Sequence, residues 1–231
     1  MENAQSAKAN TIHPTVIIEG DVEMGHNNVI NAYCVIIGPV ILGDNNIIGP
    51  HVVIGTPGQD TRNPRYDSSD KLITIGSNNI IREFTAIQKP CYEELTSIGN
   101  NVYIMQSVHI PHDANISDDV VITPMVVLAG LVRVLTGANL AIGCAVNQYS
   151  VIGHYAIVAA GAVVMKHLKP FSKFIPGKAI GVNDYAMQKF GFTEFKEEIY
   201  SYVLNDIPPT SDAIKVIVNE YEEKCQAAAR K

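Results

Sequence analysis

The chain lacks several features that would place it in a familiar function class. Its four cysteines, Cys34, Cys91, Cys144 and Cys225, are far apart and form no CxxC pair. That spacing argues against a disulfide framework or a cysteine zinc site, and it fits a reducing compartment. Basic residues are also scarce, with 17 Lys plus Arg against 23 Asp plus Glu and a formal charge of −6. We therefore do not expect a general nucleic-acid surface.

Long apolar runs are missing as well. No stretch of about 18 consecutive apolar residues exists, so we expect no membrane span. The first ten residues, MENAQSAKAN, are polar and lack the apolar segment of a signal peptide. We interpret residues 1–10 as a flexible tail on a soluble, cytoplasmic protein. With 231 residues, the chain can form one large domain, or one domain with an appendage.

What the sequence does have is a six-residue repeat of aliphatic side chains. The repeat runs in three stretches, and each of its positions carries only Ile, Val, Leu or Met. A period of six is not helical, but as a multiple of two it is compatible with strand alternation. The positions are Ile12, Ile18, Met24, Ile30, Ile36, Leu42, Ile48 and Ile54; then Ile75, Ile81 and Ile87; then Ile98, Ile104, Ile110, Ile116, Ile122, Leu128, Val134, Leu140, Val146, Ile152, Val158 and Val164.

This repeat predicts an all-β solenoid over residues 11–182. Each hexad supplies one flat side and one corner, so three successive hexads close one triangular coil. Stacked coils bury the aliphatic column and pair their strands with the coils above and below. Each enclosed Ile or Val contributes roughly 1.5–3 kcal/mol of burial. A β-sandwich is the alternative, but its strands do not keep a six-residue phase through twelve successive positions.

The two breaks in the repeat predict loops. Residues 55–72, GTPGQDTRNPRYDSSDKL, are polar and contain prolines and glycines, so they cannot form a core strand. Residues 89–96, KPCYEELT, add five residues to the spacing. Loops that leave a rigid scaffold often form binding walls. A solvated excursion remains the alternative, especially for the second loop.

The repeat ends after Val164, where a basic patch follows. Four lysines lie close together on an otherwise acidic chain: Lys166, Lys169, Lys173 and Lys178. The patch suits a phosphorylated carrier such as coenzyme A, or it is a solubilising rim. Residues 183–231 are predicted to form a helical appendage. It contains two amphipathic helices, FTEFKEEIYSYVLND and PPTSDAIKVIVNEYEEKC, and residues 210–212 form the N-cap region of the second. We expect the last few residues to fray.

The stretch SVHIPHDANI, residues 107–116, carries the most chemistry. If Ile110 points inward, His112 lies two residues further on, near a corner. One and two coils later the equivalent positions are Gly130 and Gln148, so the three residues should form one column on the outer face. A histidine can accept a proton, a glycine N–H can stabilise an oxyanion, and a glutamine can orient a polar substrate. Acyl transfer needs these three parts.

The repeat resembles the left-handed β-helix of the hexapeptide-repeat acyltransferases over roughly residues 11–182. The resemblance implies the left hand, a homotrimer and active sites between neighbouring subunits. It implies no permanently bound cofactor and no metal, with acyl-CoA or acyl carrier protein supplying the acyl group as a co-substrate. The partners expected from it are therefore a nucleotide-linked sugar, the acyl donor and two further copies of the chain.

The motif HIPHD resembles the HxxHD motif of the UDP-N-acetylglucosamine O-acyltransferases of lipid A synthesis. That resemblance implies catalytic roles for His112 as general base, Asp113 as its support and Gly130 as the donor to the thioester oxygen. The contacts implied for the sugar nucleotide are Gln59, Asp60, Arg62, His109, Asn147, Gln148 and Lys189. The contacts implied for the acyl donor are Gly130, Ile157, Ala160, Lys166 and Lys178.

Several positions depart from that pattern. Leu131 and Asn147 stand where the lipid A enzymes have histidines, and Lys189 with Phe190 stands where they have paired arginines. PGKAIGV is closer to a segment of hexapeptide acetyltransferases that use acyl-CoA. These departures favour an N-acyltransferase acting on a dTDP- or UDP-linked amino sugar for surface polysaccharide synthesis. The O-acyltransferase of lipid A synthesis, which acylates the 3-hydroxyl, is the alternative.

Two hypotheses from other classes stay open. Some hexapeptide-repeat solenoids are trimeric carbonic anhydrases that hold zinc with three histidines. The candidate ligands here would come from His26, His51, His109, His112 and His154, although the HxxxxH pair typical of that class is absent. A non-catalytic solenoid is the other alternative.

Overall fold

The computed structural model describes residues 9–62 and 67–229. Most of the predicted N-terminal tail, residues 1–8, lies outside the described residues. So do residues 63–66 of the first loop and residues 230–231, where fraying was expected.

Short strands dominate the described residues, and most contain two or three residues. In chain order they are β1 Thr11–Ile12, β2 Ile17–Glu19, β3 Val22–Met24, β4 Val29–Ile30, β5 Val35–Ile37, β6 Val40–Leu42, β7 Ile47–Ile48, β8 Val53–Thr56, β9 Leu72–Ile75, β10 Ile80–Ile81, β11 Ala86–Gln88, β12 Leu95–Ile98, β13 Tyr103–Ile104, β14 His109–Ile110, β15 Asn115–Ile116, β16 Val121–Ile122, β17 Val127–Leu128, β18 Arg133–Val134, β19 Asn139–Leu140, β20 Ala145–Val146, β21 Val151–Ile152, β22 Ile157–Val158, β23 Val163–Val164, β24 Ser172–Phe174 and β25 Gly181–Val182.

These strands form three sheets, and up to β23 the strands that lie three apart in the chain pair in parallel. In the ten-stranded sheet β24 then pairs in parallel with β22, and β25 pairs with β24 in the antiparallel sense. The ten-stranded sheet begins with β1, β4 and β7, the eight-stranded sheet with β2, β5 and β8, and the seven-stranded sheet contains β3, β6 and β9. Val29 pairs with Ile47, which is the equivalent position three hexads further along the chain. The predicted coil of three hexads is therefore confirmed, and the chain is a three-sided parallel β-helix with a helical C-terminal part.

The aliphatic column lies inside this helix. Twenty of its twenty-three positions are buried, from Ile30 to Val164. Ile12 and Ile18 are each 41% exposed and Met24 is half-buried, because among the described residues no coil covers the first one. The expectation that Ile12 and Ile18 are enclosed is therefore wrong, whereas Met24 packs against the core.

A second inward column, two residues before the aliphatic one, was not predicted. Its members are mostly Val, Ala, Ser, Thr, Cys or Asn, and near the N-terminal end they include Asn28, Asn46 and Asn79. The Oδ1 atom of Asn28 accepts from the Asn46 N–H at 2.9 Å, and that of Asn46 accepts from the Asn79 N–H at 2.9 Å. This ladder satisfies polar groups in the interior, which would otherwise destabilise the fold.

The two insertions occur where the repeat breaks, but they are shorter than predicted. Ile47 pairs with Ile80, and Ile80 pairs with Tyr103, so both pairs span more than three hexads of sequence. The first connection is residues 57–71 and the second is residues 89–94, because the flanking strands extend into the predicted loops. We call these connections the first loop and the second loop.

The C-terminal part contains three α-helices and a 3-10 turn. They are α1 Asp184–Lys189, the turn Thr193–Phe195, α2 Lys196–Asn205 and α3 Asp212–Ala229. Helix α1, capped by Asn183, was not predicted. The start of α3 is held by Glu198 of α2, whose carboxylate accepts from the Ser211 N–H at 2.7 Å and the Ser211 hydroxyl at 2.6 Å.

Helix α3 packs against the outer face of the seven-stranded sheet. Tyr221 contacts the buried Leu135 and Val151, and the Glu220 carboxylate lies 3.2 Å from Nε2 of the buried His154. The helix therefore covers the coils that follow the HIPHD stretch. In the described parts of the chain, no helix has the length and apolarity needed to cross a membrane.

Candidate active site

His112 and Asp113 form a buried pair at a corner of the β-helix. Nδ1 of His112 lies 2.7 Å from Oδ2 of Asp113, and the two side chains are 7% and 0% exposed. Asp113 adopts φ 60°, a left-handed conformation that turns the chain from β14 into β15. Aspartate tolerates this region better than most residues. The corner therefore fixes both side chains of the pair.

The carboxylate of Asp113 is saturated by hydrogen bonds from the second loop. Three successive backbone N–H groups donate to its Oδ1 atom: those of Cys91 at 3.1 Å, Tyr92 at 3.0 Å and Glu93 at 2.7 Å. Such a concave run of amides favours an anion. An ionised carboxylate can only accept, so in the tautomer that this pairing favours Nδ1 of His112 donates to Asp113. In that tautomer of the neutral imidazole Nε2 keeps a lone pair, as a general base requires.

Gly130 lies against the imidazole of His112 on the next coil. A methyl group at position 130 would lie 2.3 Å from Cε1 and 2.5 Å from Nε2 of His112. The position therefore accepts only glycine while the ring keeps its place. The predicted column of His112, Gly130 and Gln148 exists, because all three residues line one cavity.

That cavity has a volume of about 400 Å³ and opens to solvent. Seven of the residues implied for the site line it: Gln59, Asp60, Arg62, His109, His112, Gly130 and Gln148. Asp113 lies behind His112. The volume is within the range typical of small-molecule sites.

Asp60 and Arg62 of the first loop form one wall of the cavity. The Arg62 side chain donates from Nη2 to Asp60 Oδ2 at 3.2 Å and to the Tyr92 hydroxyl at 2.5 Å. The Arg62 guanidinium holds the pKa of the Asp60 carboxyl below its ordinary range. The Tyr92 ring in turn meets the His112 ring edge-on at 5.9 Å. The two loops thus touch each other over His112.

His109 lines the same cavity from the outer face of β14 and is half-buried. Burial lowers its pKa below the ordinary value, and the charge that His112 carries when it is protonated lowers it further. A neutral imidazole can donate or accept a hydrogen bond at this position. Nearby Cys91 is buried too, and burial together with the Asp113 charge raises the pKa of its thiol to about 11.

One group of residues in the described chain has the donor types of a metal site. Cys91, His112 and Asp113 place one ligand atom each within 4.8 Å of one another. The carboxylate already accepts three N–H groups and Nδ1 is already bonded to it. The geometry is that of a His–Asp dyad, not of an open metal site. No other histidine proposed as a zinc ligand joins this group among the described residues.

The remaining predicted contacts lie outside the cavity of a single chain. Asn147 is exposed, and Lys189 of α1 lies over the Phe190 ring at 4.8 Å. Ile157 lies on the ten-stranded sheet, whereas His109 lies on the eight-stranded sheet. Ala160 is an exposed residue shortly after Ile157.

The basic patch is smaller than its sequence suggested. Lys166, Lys173 and Lys178 are exposed. Lys169 instead donates to the carbonyl oxygen of Tyr202 at 3.0 Å and to the Asp206 carboxylate. Lys169 therefore holds helix α2 in place, and three lysines remain available to a ligand.

Sequence reasoning missed several residues that build the site. Gln88 and Tyr149 line the cavity, and Tyr92, Glu93 and Arg133 surround the dyad. Gln88 is 3% exposed and directly precedes the second loop. A glutamine that directly follows a position of the aliphatic repeat, at the point where the repeat breaks, was a sequence signal for a residue of the site. The positions of Tyr92 and Glu93 depend on the loop path, which no periodicity encodes.

Comparisons with known proteins define the class. Residues 21–56 match the family model described as bacterial transferase hexapeptide (six repeats). Over 95% of its length the chain superposes on the UDP-N-acetylglucosamine acyltransferase of Francisella novicida, with a TM-score of 0.76, 26% identity and 87% of that chain covered. The fold is the left-handed β-helix of hexapeptide-repeat acyltransferases, and the protein is an acyltransferase.

The sequence relatives narrow the class to a family. The chain is 30% identical over 187 residues to the acyl-[acyl-carrier-protein]–UDP-N-acetylglucosamine O-acyltransferase of Janthinobacterium sp. (strain Marseille). The aligned residues cover 77% of this chain and 69% of that enzyme. It is also 30% identical over 182 residues to the enzyme of the same name from Gloeothece citriformis, covering 78% of this chain and 58% of that one. The chain belongs to the family of the acyl-[acyl-carrier-protein]–UDP-N-acetylglucosamine O-acyltransferases.

Proposed function

We propose that this protein transfers an acyl group from the phosphopantetheine thioester of an acyl carrier protein to a hydroxyl group of UDP-N-acetylglucosamine. The observation that carries the proposal is the His112–Asp113 dyad, whose histidine lines a cavity of about 400 Å³. A sugar hydroxyl is a weak nucleophile at neutral pH, so it needs a base that removes its proton during attack. A neutral sugar amine needs this assistance less.

In the proposed reaction, the acceptor hydroxyl donates its proton to Nε2 of His112 while its oxygen bonds to the thioester carbon. The Gly130 N–H donates to the oxyanion that forms, and Asp113 stabilises the imidazolium. The tetrahedral intermediate then collapses. The carbon–sulfur bond breaks, the thiolate takes the proton from His112, and the ester and the free phosphopantetheine thiol leave.

The walls of the cavity support an acceptor with polar groups. Gln59, Asp60 and Gln148 present amide and carboxylate groups, and Arg62 presents a cationic group. We assign these residues, with His109, to the sugar nucleotide. The exposed lysines Lys166 and Lys178 are assigned to the acidic surface or the phosphates of the acyl donor.

We further propose that the working enzyme is a homotrimer. The outer face of the eight-stranded sheet exposes Ile17, Val127 and Val163, at 50%, 51% and 57%. At the adjoining corner, Tyr33 and Phe84 stack on either side of His51 at centroid distances of 5.1 and 5.2 Å. Exposed apolar and aromatic side chains on one face of a β-helix are typical of an interface between protein chains. A second subunit would also bring Asn147, Ile157, Ala160 or Lys189 towards a neighbouring cavity.

An amino-sugar acceptor is the second candidate, and it was the preferred interpretation of the sequence. Leu131 is 3% exposed and Asn147 is exposed, at two positions where the resemblance leads one to expect histidines. These substitutions change the acceptor contacts but leave the dyad intact. The relatives, all named as O-acyltransferases, favour the hydroxyl acceptor over the amine.

The test is a direct identification of the product. Purified protein is incubated with acyl carrier proteins or coenzyme A carrying a range of acyl chains, together with UDP-N-acetylglucosamine or a UDP- or dTDP-linked amino sugar. We expect free thiol release with UDP-N-acetylglucosamine and a product whose acyl group is removed by hydroxylamine, as an ester is. A hydroxylamine-resistant amide formed only on the amino sugar would support the second candidate. No thiol release with any pair would contradict both.

A further inference from the structure

The second loop does more than border the cavity, because its backbone holds the carboxylate of the catalytic dyad. The N–H groups of Cys91, Tyr92 and Glu93 all point at Asp113. That carboxylate in turn bonds Nδ1 of His112 at 2.7 Å. The position of His112 therefore depends on where a six-residue loop, residues 89–94, lies. A short surface loop needs a fixed anchor if it is to hold a catalytic group in place.

Arg133 supplies such an anchor. It lies on β18, and its guanidinium donates from Nη2 to both oxygens of Glu93, at 2.5 and 2.7 Å. From Nη1 it donates to the backbone carbonyl of Asp113 at 2.6 Å. One guanidinium thus ties the loop to the corner that carries the dyad. A guanidinium that donates from two nitrogens to two separate acceptors fixes their relative position, and its hydrogen bonds to a carboxylate are strong.

These contacts close a ring. The Arg133 side chain holds the Glu93 carboxylate, the Glu93 backbone N–H holds the Asp113 carboxylate at 2.7 Å, and the Asp113 carbonyl returns to Arg133. Each link therefore involves Asp113, which bonds to His112, or Glu93, which bonds to Asp113. Loss of the guanidinium would remove the link between the Glu93 carboxylate and the corner that carries Asp113, and the second loop would shift.

Helix α3 shields this ring from water. Lys224, Ala227 and Ala228 of α3 line a small cavity of about 50 Å³ together with Glu93 and Arg133. The side chains of Arg133 and Glu93 are only 17% and 24% exposed. A partly buried pair is screened less by solvent than a surface pair, and breaking it is correspondingly more costly.

We propose that Arg133 is a positioning residue for the reaction: through Glu93 and the second loop it fixes Asp113, and through Asp113 it fixes the catalytic base His112. The inference rests on the proposed role of His112 as general base. Arg133 does not line the cavity with His112 and Gln148. Its effect is therefore on the rate of the bound complex and not on substrate binding.

The test compares R133M and E93Q with wild type and with a matched control, R82M. Arg82 also pairs with a neighbouring carboxylate, that of Glu83 at 2.7 Å, but it does not line the cavity. We expect R133M and E93Q to lower kcat by roughly 10- to 100-fold, since displacements near 1 Å cost that much. The KM values for both substrates should stay within about three-fold, and R82M should behave as wild type. R133K should recover part of the rate, since it keeps the charge but loses the planar fork whose two nitrogens hold Glu93 and the Asp113 carbonyl.

The double variant R133M/E93Q separates positioning from general damage. If the two residues act as one unit, its loss of kcat is no larger than that of either single variant. A kcat within about two-fold of wild type in folded R133M and E93Q, or a loss confined to KM, would overturn the inference. E93Q keeps the shape of the pair, so it tests the inference even if R133M does not fold.

A readout that does not need turnover keeps this inference distinct from the proposed function. The hydrogen-bonded Nδ1 proton of His112 should give a low-field proton resonance in wild type, and H112Q identifies it. We expect R133M to shift or abolish that resonance, while R82M preserves it. If wild type transfers no acyl group but the resonance responds in this way, the proposed function fails and the positioning role stands. An unchanged resonance in R133M would overturn the positioning role, whatever the activity.

Discussion

Gly130→Ala is the substitution for which the structure gives the sharpest expectation. A Cβ at position 130 would lie 2.3 Å from Cε1 of His112, whereas an ordinary contact begins at 3.4 Å. The imidazole must therefore move by at least about 1.1 Å, the difference between these two distances. The ring has little freedom to do so, since Nδ1 is held by Asp113 at 2.7 Å and the side chain is 7% exposed.

A displacement of about 1 Å at a catalytic group costs roughly 10²-fold in rate, so we expect kcat of Gly130→Ala to fall by about that factor. The backbone N–H of residue 130 is retained, which leaves the proposed oxyanion donor in place. The loss therefore reports on the position of His112. Steady-state thiol release at saturating donor and acceptor measures it, with circular dichroism melts to follow stability.

Gly181→Ala is the matched control, because a Cβ there meets nothing closer than 3.8 Å and the residue lies on the last strand. We expect it to retain wild-type turnover. The reasoning about the packing of His112 would be refuted by a folded Gly130→Ala variant that turns over within about three-fold of wild type. An equal loss in both glycine variants would refute it as well.

Three further predictions follow from other parts of the molecule. Replacing the exposed Lys166 and Lys178 with Ala should raise the KM for the acyl donor more than that for the sugar nucleotide; an unchanged donor KM would assign the lysines to solubility. Sedimentation at micromolar concentration should give the mass of a trimer, and a stable monomer would remove the between-subunit site. Burial lowers the pKa of His154 in the folded chain below the ordinary histidine value near 6.5. At a pH just below 6.5 the unfolded chain therefore binds a proton at this histidine that the folded chain does not, and the stability of the fold falls on acidification. His154→Gln should therefore reduce the loss of Tm between about pH 7.5 and pH 5.5, although His109 and His167, whose pKa values burial also lowers, keep part of it.

Much of the fold could be predicted from the sequence because the β-helix repeats one simple rule. Each aliphatic residue of the column, such as Ile104, meets the same environment as its partner one coil away, Ile122, so the periodicity encodes both strand pairing and burial. The rule fails at the open end, where Ile12 and Ile18 are exposed. It also fails to reveal the inner polar ladder of Asn28 and Asn46, since asparagines at corners can point either way.

Part of the candidate site could also be predicted from the sequence. The spacing alone predicted that His112, Gly130 and Gln148 lie close together, because they occupy equivalent positions on successive coils. The resemblance to a known family supplied Gln59, Asp60 and Arg62, which lie on a loop outside the repeat. Neither source indicated Arg133 or Glu93. Their pairing joins residues 40 positions apart, through a loop whose path is set by its three N–H contacts to Asp113.

Turnover of His112→Ala tests the central claim most directly. General-base assistance is typically worth about 10²–10⁴-fold, so kcat with UDP-N-acetylglucosamine at saturating substrates should fall by that factor. The KM for the acyl donor should be nearly unchanged, because His112 supports no core contact of the aliphatic column. Asp113→Ala should cost less, since Asp113 only supports the base. Wild-type turnover by His112→Ala on the acceptor that the enzyme acylates would show that the HIPHD stretch is not catalytic.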